Sequence, residues 1–353
     1  MISPLEALER ARQWSTISDL GGSDLPVRVV DLRRLARSFR VGSQDATLAS
    51  LLVNMPWVNV AVVDDDLDPI FAPLADSFDV LIGDGTRSQA AVDATDVNST
   101  IAELERAIAA SPLASVALAQ LLRTSHDLAI GKALHAESLT YAVLQTGATY
   151  QRWLGARAPQ SGADADISPE VAVATELTGS LLTITLQRPA KRNALNVAMR
   201  DQLTQALELV DLDPGIDGAV LRGAGDNFCA GGDLDEFGST PSPAVGHHVR
   251  LMRSLPALMH RVSSRVRVHA HGACVGAGIE LPAFAATIVA HPDATFCLPE
   301  IGFGLVPGAG GTVSVTRRCG RHRTAWLALT GATISAEHAL RWQLVDRIDA
   351  TVF

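Results

Sequence analysis

Residues 268–281 read VHAHGACVGAGIEL. The stretch opens as a strand: Arg265–Ala270 (RVRVHA) reads as a short buried strand. Gly272, Gly276 and Gly278 then follow among small residues, and Ala273–Ala286 fits a loop running into a helix. Small residues let a ligand approach the main chain closely. A helix N-terminus behind such a loop adds unpaired N–H groups and the positive end of a dipole. Glu280 sits almost at the start of that helix.

Outward from this stretch, strands and helices alternate. Ser180–Gln187 (SLLTITLQ) reads as a strand that Arg188-Pro189 stops. Asn196–Val210 reads as an amphipathic helix, and Gly218–Arg222 and Thr287–Ala290 read as short strands. This is α/β order with glycine-rich crossings, over residues 171–353. Residues 155–170 (GARAPQSGADADISPE) have linker composition.

Residues 1–154 read as a mainly helical first domain. Val58–Val63 and Phe78–Ile82 are short strand-like runs. Nine Asp residues and one Arg between Asp64 and Asp96 read as a solvated, loop-rich face. Thr100 followed by Glu103 fits a capping box. From there to Trp153 apolar residues recur at three- and four-residue spacing, which predicts two or three packed helices.

The 353 residues are 47% hydrophobic and 19% charged, a balance that suits a globular protein and excludes a disordered one. A net charge of −9 argues against nucleic acid as the main ligand, because phosphate binding needs a basic surface. Cys229, Cys274, Cys297 and Cys319 form no CxxC pair, and reduced thiols in a cytoplasm are the expectation. Cys229 and Cys274 read as small packing residues. His247-His248, with His260, His269 and His271, offers no i, i+4 metal-ligand pair, so no metal is expected. The N-terminal MISPLEALERARQW lacks the long apolar core of a signal peptide, and no stretch approaches 18 uncharged apolar residues.

Two glycine-rich loops carry the chemistry. Adding water to a conjugated thioester, or removing its α-proton, pushes charge onto the thioester oxygen. Two backbone N–H groups aimed at that oxygen stabilise the enolate-like state. Cys229-Ala230-Gly231-Gly232-Asp233 offers one such loop, and residues 272–278 offer the other. Glu300 lies twenty residues beyond Glu280, after a strand and a turn. Two carboxylates converging on one water can take a proton from it and deliver one to the substrate.

Four blocks in this order, ITLQRPAKRNAL (184–195), GAVLRGAGDNFCAGGDL (218–234), VHAHGACVGAGIEL (268–281) and ATFCLPEIGFGLVPGAGGT (294–312), resemble the enoyl-CoA hydratase/isomerase (crotonase) family. The resemblance implies a crotonase (ClpP-like) α/β spiral of ββα units behind the helical first domain. It implies that Gly232 and Ala277 supply the oxyanion N–H groups, Ala277 standing where glycine is common. It places Glu280 and Glu300 on both catalytic acids of the hydratases. It implies CoA contacts at Lys191, Arg192, Ala194, Phe228, Ala230, Asp233 and Leu234, with no cofactor beyond the CoA of the substrate. The implied partners are an acyl-CoA thioester and copies of the same chain, as a trimer or hexamer, with no nucleic acid and no membrane.

The chain departs from the family in two places. It ends soon after Leu344-Val345-Asp346, where the family continues into further helices, and Gln343 stands where glycine is usual. Its Ala133–Leu154 stretch (ALHAESLTYAVLQTGATYQRWL) resembles the helical extension of the cofactor-independent dihydroxyphenylacetyl-CoA dioxygenase, a crotonase relative. Tyr141, Gln145, Tyr150, Arg152 and Trp153 of that stretch form a candidate surface for docking on the core. Keeping both glutamates points to hydration of a 2-enoyl-CoA. The alternatives are a dioxygenase-like or isomerase reaction on an aryl-acetyl-CoA, and a non-catalytic acyl-CoA-binding protein.

Overall fold

The computed structural model describes residues 26–33, 50, 52–53, 55–64, 72–84, 90–157 and 171–352. The start of the chain to residue 25, and the linker expectation from residue 158 to 170, lie outside these.

The first region opens with β1 (Val27–Asp31), β2 (Val58–Val63), a helical turn α1 (Ala72–Ala75), β3 (Val80–Asp84) and β4 (Val92–Ala94). The four strands form a parallel sheet in the order β1-β2-β3-β4. Every residue of β2 is buried, as expected for a parallel strand covered on both faces. Val58, Val60 and Val62 enter the main core, whereas Ala61 and Val63 join a second cluster with Val30, Leu32, Phe78 and Leu81. The acidic run is therefore only partly a solvated face. Asp79 is buried, accepts the Asn59 N–H at 2.7 Å, and is ion-paired with Arg123, whose Nε lies 2.8 Å away.

Helices α2 (Val97–Ala110), α3 (Pro112–Ser125), α4 (Ile130–Leu144) and α5 (Ala148–Ala156) follow. The capping box expected at Thr100 and Glu103 does not form. The extended Asp96, four residues earlier, caps α2 by accepting the Asn98 and Ser99 N–H groups. Thr100 lies one turn inside the helix, and its hydroxyl donates to Asp96 O at 2.9 Å.

The second region holds β5 (Val173–Thr178), β6 (Leu181–Leu186), α6 (Val197–Leu212), β7 (Gly218–Gly223), α7 (Pro243–Met252), α8 (Leu255–Arg261), β8 (Val266–Ala270), β9 (Ala273–Val275), α9 (Ala277–Glu280), β10 (Thr287–Ala290), β11 (Thr295–Cys297), α10 (Gly311–Cys319), α11 (Arg321–Thr330), β12 (Ile334–Ser335), α12 (Ala336–Arg341) and β13 (Arg347–Ile348). A six-stranded sheet runs β13-β10-β8-β7-β6-β5, parallel except for the β5–β6 hairpin. A three-stranded sheet runs β12-β11-β9. The helix expected over the end of Ala273–Ala286 is one turn long. Pro282, without an N–H, opens a separate 3-10 turn at Pro282–Phe284.

The two regions share one core. Helix α11 packs on α2 and β3, and α4 packs on α7. Arg321 donates to Phe78 O at 2.9 Å and Arg323 to Ala91 O at 3.2 Å, tying α11 to the first sheet. Among the described residues no single helix is long and apolar enough to cross a membrane.

Candidate active site

The two glycine-rich loops lie side by side. The Cys229 N–H donates to Ala273 O at 3.1 Å, and the Val275 N–H donates back to Cys229 O at 3.0 Å. Beyond this bridge, Leu195 N–H donates to Gly231 O at 2.7 Å and Asp233 N–H to Leu195 O at 3.0 Å. Gly231, at φ +93°, makes the turn, and a Cβ there would stand 2.9 Å from Val275 O. These two bonds flank Gly232, the bridge partner of Leu195, and Ala277 is the first residue of α9. Both line a cleft of about 290 Å³ that also contains Glu280 and Glu300. The structure thus brings together the four residues expected to act on the thioester.

Glu280 ends the single turn of α9. Its Oε2 accepts the Ala309 N–H at 2.8 Å and the Gly311 N–H at 2.9 Å. Glu300 opens the 3-10 turn Glu300–Phe303 after β11. Its Oε2 is buried and has no hydrogen-bond partner among the described residues. Both carboxylates lean over Gly276: a Cβ there would lie 2.5 Å from Glu300 Oε1 and 3.7 Å from Glu280 Oε1.

Their environments separate them. Burial raises the Glu280 carboxyl above its ordinary range, and the Ala309 and Gly311 N–H groups oppose that rise. Burial, then the charges of Glu280 and Glu137, hold Glu300 well above the ordinary range, with less to oppose them. Glu280 is thus better placed than Glu300 to carry a negative charge.

A third carboxylate completes the cluster, one the sequence reading did not single out. Glu137 of α4 is 2% exposed and accepts the Gly310 N–H at 2.8 Å, the Thr312 N–H at 3.0 Å and the Thr312 hydroxyl at 2.6 Å. Burial, then the Glu280 charge, raises its pKa, and these three donors hold it down. Its signal was a charged residue on the same helix face as Leu134, Tyr141 and Leu144.

The first region also walls the cleft. Tyr141, Gln145 and Tyr150 line it. Trp153 of α5 stacks on Phe303 with centroids 4.8 Å apart and meets Phe237 edge-on at 5.6 Å. Arg152 of the same stretch is exposed. Arg250 of α7 lies 4.5 Å over the Tyr141 ring and donates to Ser138 Oγ at 3.1 Å, which also bonds His247 Nδ1.

The residues expected to contact CoA divide. Lys191 and Arg192 are at or near the surface around the left-handed turn at Arg192, and Lys191 reaches Asp235 at 3.4 Å. Ala194, Ala230 and Leu234 are half-buried beside them. Phe228 is 1% exposed and belongs to the core. Asp233 lines the cleft, and its carboxylate accepts from buried Arg188 at 2.9 Å. The four cysteines are free and buried, and burial pushes Cys229 up to about 11, which disfavours its thiolate. No metal-holding group of His, Cys, Asp and Glu occurs among the described residues.

Comparison with known proteins assigns the architecture. The enoyl-CoA hydratase/isomerase family model matches residues 176–352, and the chain belongs to that family with a crotonase fold. The 2,3-dehydroadipyl-CoA hydratase of Escherichia coli is 36% identical over 48% of this chain and 65% of its own length. The mevalonyl-coenzyme A hydratase of Aspergillus fumigatus is 32% identical over 48% of this chain and 63% of its own, and the 1,2-epoxyphenylacetyl-CoA isomerase of Escherichia coli is 34% identical over 48% and 66%. The chain thus spans a little under two thirds of the curated relatives it matches. A solved enoyl-CoA hydratase from Thermoplasma volcanium is 31% identical, covering 51% of this chain and 73% of that chain at a TM-score of 0.48.

Proposed function

We propose that the protein adds water to a 2-enoyl-CoA thioester. The observation that carries this reading is the convergence of Glu280 and Glu300 over Gly276, beside the unpaired side of the Gly232–Ala277 loops. The thioester carbonyl lies between the Gly232 and Ala277 N–H groups, which take up the charge that develops as water attacks. Glu280, ionised, accepts a proton from the water. Glu300, protonated, delivers one to the α-carbon. Lys191 and Arg192 stand at the rim for the CoA phosphates, and no cofactor besides the CoA of the substrate takes part. Copies of the chain assemble as a trimer or hexamer. Two relatives named as hydratases, for mevalonyl-CoA and 2,3-dehydroadipyl-CoA, support the reaction type.

A second reading, isomerisation or oxidation of an aryl-acetyl-CoA, draws on the aromatic wall from the first region and on the relative named 1,2-epoxyphenylacetyl-CoA isomerase. The test is steady-state hydration by wild type and by Glu300→Gln. The variant is expected to lose about 10²–10⁴-fold in kcat while still binding the CoA thioester. Full activity in Glu300→Gln sinks the assignment.

A further inference from the structure

Residues 309–312 run past two carboxylates, and their N–H groups are dealt out alternately. Ala309 and Gly311 donate to Glu280 at 2.8 and 2.9 Å. Gly310 and Thr312 donate to Glu137 at 2.8 and 3.0 Å, and the Thr312 hydroxyl adds a third bond at 2.6 Å. We propose that Glu137 is a positioning residue of the active site: it fixes, from the first region, the strip of main chain whose other two N–H groups aim Glu280. The kinetic part of this proposal rests on the hydration reading, and its titration part does not.

A plain helix cap is a poorer account of Glu137. Residues 310–312 open α10, where a carboxylate caps as well as Ser or Asn, but one buried beside two other carboxyls carries repulsion that a neutral cap avoids. The charge has an effect of its own. The Glu280 charge opposes ionisation of Glu137, and the interaction is mutual, so Glu137 opposes ionisation of Glu280. The other groups facing Glu280 are Glu300 from the 3-10 turn after β11, Cys229 from the first glycine loop, and Tyr141 from α4 with Arg250 of α7 behind it. Among the described residues, Glu137 alone is a second carboxyl bound to the same strip of main chain as Glu280.

Replacing Glu137 by Gln keeps the shape, removes the charge, and sets an amide NH₂ against a backbone N–H. The full chain labelled with ¹³Cδ-glutamate reports the Glu280 titration directly, the signal being the one missing from Glu280→Gln. In Glu137→Gln the Glu280 midpoint is expected to move to lower pH, because a neighbouring negative charge is gone. Misaiming the base is expected to lower kcat on a 2-enoyl-CoA by about 10²-fold, with KM within about threefold. An unmoved midpoint, or an unmoved kcat in an enzyme that hydrates, overturns the proposal. A moved midpoint in a protein that hydrates nothing keeps Glu137 as the positioning residue and removes the hydration reading. Should Glu137→Gln fail to fold, Thr312→Val and Thr312→Ser decide. Loss of the hydroxyl leaves Glu137 less charged and lowers the Glu280 midpoint, and serine restores it. Equal midpoints in both Thr312 variants overturn the proposal.

Discussion

The Glu300 carboxylate stands where a side chain on Gly276 would be: a Cβ on that glycine would lie 2.5 Å from Glu300 Oε1. Gly276 also has φ +51°, a backbone region that L side chains rarely adopt. Gly276→Ala is therefore expected to lower stability by about 1–3 kcal/mol from backbone conformation alone. It also pushes Glu300 off its place, so kcat falls by about 10²-fold. Urea unfolding and steady-state kinetics check the two effects separately.

Ala277 stands at the first position of α9, where proline is tolerated because its missing N–H has no partner within the helix. Ala277→Pro removes the N–H proposed as an oxyanion donor and puts Cδ in the space it points into. The expected loss in kcat is about 10²–10³-fold, and Ala277→Gly, which keeps the donor, loses much less. Similar rates for the two variants would exclude this N–H from the reaction.

Glu137, Glu280 and Glu300 are all raised above the ordinary 4.5 in the fold, burial being the first cause in each. Between that value and their folded values the native state binds more protons than the unfolded chain, so stability falls as pH rises. Urea unfolding is expected to give a lower free energy near about pH 8 than near about pH 5, with a shallower slope in Glu300→Gln. His269 and His338, held low by burial, work in the opposite sense, so a slope unchanged in Glu300→Gln is the result that contradicts the buried-carboxyl account.

Asp79 and Arg123 are buried together, with side chains 1% and 3% exposed. Removing one partner strands the other charge, so Arg123→Met is expected to cost about 3–5 kcal/mol in unfolding free energy. The double variant Asp79→Asn/Arg123→Met is expected to cost less than the sum of the two single variants, as a thermodynamic cycle measures.

The parts of this molecule that the sequence discloses are those decided by neighbours along the chain. Thr287–Ala290 and Val58–Val63 are strands at the positions their apolar runs imply. The two glycine loops and Glu280 sit within contiguous motifs, and they meet as expected. The single turn of α9 is shorter than its composition suggests because Pro282 interrupts it. Other features depend on distant partners. The parallel order of β1-β2-β3-β4 comes from pairing between segments far apart in sequence. Glu137 joins the site through bonds to residues more than 170 positions away, and only the fold brings them together.

Mass spectrometry of CoA thioesters incubated with the purified protein tests the central claim most directly. The panel spans short and long 2-enoyl-CoAs and aryl-acetyl-CoAs, with and without oxygen. The account predicts the gain of one water on a 2-enoyl-CoA, independent of oxygen and lost in Glu300→Gln. Oxygen-dependent conversion of an aryl-acetyl-CoA with every enoyl-CoA left unchanged would contradict it.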